Sequence, residues 1–226
     1  MTSLDSTVVL IAATALLCPR VQPEQHYQDS VDSLLYTQLL ANKNVGARFG
    51  RQADWQAARR QAFSSLGWLR LASVHEQKNL GASPVTSGVQ PFQAWLQTRE
   101  IDYQAVVSVI TGALRGSAAS LRHLMNFAVS NDEAGSQLEV DIGLLRPGPT
   151  LDLCSLSWRS AQPLSAAPLD ALLAQAALHG EVTLDGLSLR LDAERFAAQR
   201  SSLRELIANK QRQGSYVLEL GGDEHE

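Results

Sequence analysis

Hydrophobic positions recur with a helical period along the first half of this chain and largely with a period of 2 along the second. Between Tyr27 and Lys43, Val31, Leu34, Leu35 and Leu39 fall on one stripe, and Asp29 or Ser30 is placed to cap, so a helix with a polar outer face is expected. A second helix is expected from Asp54 as cap to Ser65, burying Trp55, Ala58, Ala62 and Phe63 and stopped by Gly67. Trp68 to His75 reads as a strand. Gly81 to Gly88 is a loop by composition, after which Pro91 suits the first turn of a short helix carrying Phe92, Trp95 and Leu96. Asp102 is the next cap. Val106, Val109, Ile110, Ala113 and Leu114 then share a helical stripe, as do Leu121, Leu124, Met125, Ala128 and Val129 beyond the Gly116-Ser117 break. A helical hairpin or two consecutive core helices follow from that spacing.

After a polar link, Asn131 to Ser136, the stretch Leu138 to Trp158 holds two alternating segments divided by Pro147-Gly148. Pairing about that turn puts Val140, Ile142, Leu144, Leu151 and Leu153 on one face and Glu139, Asp141 and Asp152 on the other. A linker rich in Ser, Ala and Pro, Ser160 to Pro168, leads to a helix over Leu169 to His179. In Glu181 to Leu191, Asp185-Gly186 has the signature of a two-residue hairpin turn. Val182, Leu184, Leu187 and Leu189 would share one face, with Glu181 opposite Arg190 on the other. Asp192 caps a helix to Arg212 with Phe196, Leu203, Leu206 and Ile207 inward, closed by Gly214; a strand from Tyr216 to Leu220 and an acidic tail complete the chain. The fold class read from this order is α+β, with a helical N-terminal half packed with an antiparallel sheet of hairpins and helices in the C-terminal half. It forms a single domain over 1–226, mainly helical in 1–130, with antiparallel strands plus two helices in 137–226.

Composition narrows the function classes. The 226 residues are 45% hydrophobic and 19% charged, which marks a folded chain. A net charge of −4 gives no global field for nucleic acid or an anionic membrane, so nucleic acid is disfavoured as a partner. Cys18 and Cys154 lie far apart without CxxC spacing, which signals neither zinc nor a disulfide framework. Thr7 to Leu17 has the length of a signal-peptide core, but Asp5 precedes it and no small-x-small cleavage pattern follows. It is also too short to span a bilayer. A cytoplasmic, soluble protein is the expectation, with export by a signal-independent route left open.

No phosphate loop, dinucleotide fingerprint, nucleophile elbow or HExxH motif occurs. His26, His75, His123, His179 and His225 are scattered singly. Asp141 and Asp152 fall on one predicted sheet face as an acid and base candidate pair, with Cys154 beside Asp141, but a solvated outer face accounts for them better. Arg48, Arg51, Arg59 and Arg60 cluster around Phe49 and Trp55, a combination suited to phosphate and base contacts, which Asp54 interrupts; a solvated helix face is again preferred. The helices over 106–129 suggest membrane insertion of the pore-forming kind, against which Arg115, Arg122 and His123 count. The sequence assigns no catalytic, cofactor-binding or metal-ligating residue, and no cofactor.

A Leu-rich helix ending Ala41-Asn42-Lys43, then Trp55, the Leu66-Gly67-Trp68 junction, a helical pair, strands and a final helix resemble a group of small bacterial and fungal proteins to which no activity attaches. The likeness runs from about Leu34 onward and implies one integrated fold. The function expected is that of a non-enzymatic protein-binding or structural interaction protein, with a protein partner or self-association through a sheet edge or helix face. A membrane-acting, pore-forming-like effector or toxin is the alternative, and an enzyme with a dispersed site is the third reading.

Overall fold

The apolar run near the start of the chain is a strand pair. In β1 (Ser6–Ile11) Val8 and Leu10 point to one side and Val9 and Ile11 to the other. All four are buried, the pattern of a strand covered on both faces. A tight turn at Ala12, with φ of 50°, joins it to the antiparallel β2 (Thr14–Pro19). The computed structural model describes residues 6–80, 89–116, 118–133, 135–160 and 180–220. The expected Gly81 to Gly88 loop, the linker from residue 161, the Leu169 to His179 helix and the tail from Gly221 lie outside those residues.

Eight strands form one mixed sheet. Its order is β3 (Trp68–Leu80), β7 (Gly180–Leu191), β6 (Thr150–Ser160), β5 (Gly135–Arg146), β2, β1 and β8 (Val217–Leu220), with β4 (Val129–Asp132) also paired to β5. Helices α1 (Glu24–Val45), α2 (Gln52–Ser65), α6 (Ala193–Ala197) and α7 (Arg200–Gln211) cover one face, where Leu34, Leu35, Phe63, Phe196 and Leu203 pack on Val9, Leu16, Leu153 and Leu189. On the other face α3 (Val89–Gln97), α4 (Tyr103–Arg115) and α5 (Ala118–Ala128) set Phe92, Leu96, Val106, Ile110 and Leu124 against Val8, Val140, Ile142 and Leu156. The α+β class holds. Among the described residues no helix is long and apolar enough to cross a membrane, and the apolar stripes of α4 and α5 are spent on the sheet.

Several expectations change. The N-terminal half, expected to be mainly helical with one strand from Trp68, also supplies β1 and β2, both inside the sheet. Nor is the sheet purely antiparallel: β2 and β5 run parallel. The β5–β6 register is one residue off the expected one, because the loop is Pro147-Gly148-Pro149, with Arg146 opposite Thr150 and Gly148 at φ of 75°. A one-residue slip moves a whole strand face, so Leu151 and Leu153 change sides relative to Val140 and Ile142. Helix α1 begins at Glu24, and Asp29 is buried within it rather than capping; the guanidinium of Arg200 holds it with two bonds of 2.9 Å, tying α7 to α1. The helix after Asp192 breaks between α6 and α7.

The largest correction concerns Asp185-Gly186. These residues make no turn; they lie mid-strand in the continuous β7. A Cβ on Gly186 would stand 2.4 Å from the Trp95 indole nitrogen, so the glycine is there because an α3 side chain lies directly on the strand. With Val182 and Leu184 packed under α3–α5 and Leu187 and Leu189 under the opposite helices, burial of both faces overrides the local turn preference.

Candidate functional site

Along α2, Trp55, Arg59, Ala62 and Phe63 occupy one stripe, and all four are buried against the sheet. Facing them, a single line of polar residues crosses five strands. Thr14 of β2 is the Cα partner of Asp141 in β5, Asp141 of Ser155 in β6, Ser155 of Asp185 in β7, and Asp185 of His75 in β3. Cross-strand partners share a face, so these side chains form one row under α2, with Glu139, Ser157 and Thr183 as a second row beside it.

At the inner end the row is sealed. Arg48 donates through Nε to Glu139 Oε2 at 2.9 Å and through Nη2 to Asp141 Oδ1 at 3.1 Å. Arg59 Nη1 donates to the other Asp141 oxygen at 2.8 Å, and the Thr14 hydroxyl reaches that same oxygen at 3.1 Å. Gln137 holds the second Glu139 oxygen at 2.7 Å. Trp55 lies over both guanidinium groups, 4.6 Å from that of Arg48 and 5.3 Å from that of Arg59, and is itself fixed by a 2.7 Å bond to Asn42. Two cations and two carboxylates with almost no exposure make a neutral cluster, which is how buried charge is tolerated. Burial alone would raise the Asp141 carboxyl; Arg48 and Arg59 outweigh it and hold it at about 2. Glu139, with Arg48 as its one cation among the described residues, is pushed up by burial.

At the outer end the same chemistry opens to solvent. Asp185 Oδ1 lies 2.8 Å from His75 Nδ1 and 3.7 Å from Arg60 Nη1. Together with Gln56 and Arg60 of α2 and Arg70 and Ser73 of β3, this pair lines a pocket of about 430 Å³ beside the sheet edge. A neutral His75 that donates from Nδ1 to Asp185 keeps Nε2 as a free proton acceptor, the arrangement of a general base. Among the described residues no nucleophile is hydrogen-bonded to it.

The residues singled out by sequence are redistributed. Asp141 and Asp152 stand on opposite faces: Asp152 is paired with Leu144, takes the Ser188 hydroxyl and has Arg99 and Arg146 at 3.2 and 3.1 Å. They form no acid and base pair, and neither is on a solvated outer face. Cys154 sits opposite Ile142, away from Asp141, fully buried and with its thiol pushed up by burial, which removes it as a nucleophile. Of the arginine cluster, Arg48 and Arg59 are interior, Arg51 pairs with Asp54 at 2.8 Å on the surface, and only Arg60 faces the pocket. His123 is buried and lowered by that burial. His179 and His225 lie outside the described residues. No group of three His, Cys, Asp or Glu residues suited to a metal occurs among the described residues.

Sequence reasoning put Arg59 on a solvated helix face and Asp185 in a turn, and the structure places neither there. Arg59 was legible: it falls four residues after Trp55 and four before Phe63, on the core stripe, where a charged residue implies a buried partner. Asp185 was hidden by its turn-like neighbour. No family model, no curated protein and no solved structure matches this chain.

Proposed function

We propose that this chain is a protein-binding module that takes an extended, acidic segment of a partner as an additional strand along β3. The observation that carries the reading is the edge itself. β3 is 13 residues long and among the described residues pairs only with β7, whereas the strand at the other end of the sheet order, β8, has 4 residues. Of the five large hydrophobic side chains exposed among the described residues, Leu69, Leu71 and Val74 stand within six consecutive positions of this strand. Long apolar edges invite pairing, and natural sheets normally blunt them. Strand addition uses the backbone groups of such an edge and reads side chains on either side of it. Here one side carries Arg60, Arg70 and His75, which complements a segment bearing carboxylates.

The experiment places a photo-crosslinking amino acid at Leu71 and, as control, at Leu206, which is equally apolar and exposed but lies on α7. A defined heteromeric adduct from position 71 alone is expected. In the complex rebuilt from the purified partner, the amides over 69–77 become protected from hydrogen exchange, and Leu71→Glu with Val74→Glu abolishes binding. Equal adducts from both positions, protection elsewhere, or an adduct of twice the chain mass would overturn the reading, the last in favour of self-association.

Membrane action through residues 106–129 gains no support from the packing, because Val106, Ile110, Leu114 and Leu124 are already buried against the sheet. An enzyme with a dispersed site has the His75–Asp185 pair in its favour but, among the described residues, no nucleophile hydrogen-bonded to it.

A further inference from the structure

We infer that the pocket between α2 and β3 is a receptor for one oxyanion, a carboxylate or a phosphate group. The inference deepens the strand-addition reading, because an acidic side chain of an added strand would fall here, yet it stands on the pocket's own residues.

Three observations carry it. First, the donors outnumber the acceptors. Arg60, Arg70 and His75 converge on a cavity of about 430 Å³ whose one carboxylate, Asp185, is already engaged by His75 at 2.8 Å and by Arg60 at 3.7 Å. Second, the Arg70 side chain has no hydrogen bond, ion pair or ring contact among the described residues, so a guanidinium fork stands at the pocket with its donors uncommitted. Such a fork matches the paired oxygens of a carboxylate or phosphate, and charge-assisted bonds of this kind are the strong ones. Third, Gln56, only 2% exposed, lines the same pocket, and its amide nitrogen Nε2 lacks a partner. A buried donor left unmade is costly, and a small rotation of the side chain towards an acceptor in the pocket would relieve it.

The pocket is also held in shape. Its floor is β7, where Gly186 is pressed against Trp95 from behind, and its upper wall is α2, anchored by Arg59 to Asp141 at 2.8 Å. The backbone that carries the donors is therefore fixed, which reduces the ordering that binding demands.

The test titrates the full chain, labelled with ¹³C in its histidine rings, with sodium phosphate and separately with sodium succinate, using sodium chloride at matched ionic strength as control. His75→Gln identifies the His75 signals among the five histidines of the chain. Saturable shifts of those signals with phosphate or succinate, absent with chloride, are expected. Arg60→Gln combined with Arg70→Gln should weaken the apparent affinity by at least about tenfold, as loss of charge-assisted bonds implies. Circular dichroism and the urea midpoint establish that the double variant is folded; were it not, Arg70→Gln alone is the substitute, since the Arg70 side chain makes no hydrogen bond, ion pair or ring contact among the described residues. Shifts that follow ionic strength alone, or that persist unchanged in the variant, would overturn the inference. Because the probes are small anions and the readout is His75, this failure is separable from failure of strand addition, which is read by crosslinks at Leu71.

Discussion

The two ends of one polar row show how the same side-chain chemistry does different work in different surroundings. At the inner end Asp141 meets Arg48, Arg59 and Thr14 beneath Trp55, with every one of these groups nearly or wholly buried. At the outer end Asp185 meets His75 and Arg60 in an open pocket, with their side chains 61% and 37% exposed. In the interior an ion cluster gains little over a well-packed apolar core, yet it cannot lose a member without stranding a charge. Near solvent the same pairing is screened, contributes little to stability, and leaves its donors free to exchange partners. The inner end therefore fixes α2 over the sheet, and the outer end uses the position so fixed.

Removing a member of the inner cluster should produce the largest effect. Arg59→Ala leaves Asp141 with one cation instead of two and removes a guanidinium packed against Trp55 and Phe63; a loss of about 3–5 kcal/mol in urea unfolding is expected. A value under about 1 kcal/mol would mean that the cluster relaxes or admits water.

Acid should then separate the ends by a smaller margin. The folded Asp141 carboxyl sits at about 2, below the ordinary value of 3.8, so its contribution is complete above about pH 4 and is lost as the pH falls towards 2, because the unfolded chain takes up the proton first. The shift corresponds to about 2 kcal/mol. Glu139 works in the opposite sense: its folded carboxyl is raised by burial, so protonation as the pH falls favours the folded state. Stability measured from pH 5 to pH 2 should therefore fall most steeply in the lower part of that window, and Asp141→Asn should flatten that part of the curve.

Much of this arrangement was legible in the sequence where local pattern and tertiary role agree. The stripes of α1, α2, α4 and α5 appear where their spacing placed them, except that Val129 begins β4 instead of ending α5, and Asp102 caps α4 through a 2.9 Å bond from the Gln104 amide. Errors arose where long-range burial decides the outcome. Thr7 to Leu17 carries no alternation because both its faces are covered, so its apolar density resembles a targeting segment more than a strand pair. The β5–β6 register hung on whether Pro149 belongs to the loop, and that single residue settled whether Asp141 lay with Asp152 or with Ser155. Asp185-Gly186 obeyed turn statistics, but Gly186 answers to Trp95 and Asp185 to His75, each more than 80 positions away in sequence. The row itself could not be seen, since it is a product of four registers.

The smallest effects belong to the outer end. Arg60→Gln and His75→Gln should each change unfolding free energy by no more than about 0.5 kcal/mol, in the range of ordinary surface substitutions, while weakening the capture of anions and of partner. A larger loss of stability would place these residues in the framework and blur the distinction between the ends.

The most direct test sets the two aspartates against each other. Urea unfolding of Asp141→Ala and Asp185→Ala, side by side with the parent chain, should show a loss of about 3–5 kcal/mol for the first and less than about 1 kcal/mol for the second. Equal losses would contradict the account, because the row would then be one structural device from end to end, with no part of it set aside for recognition.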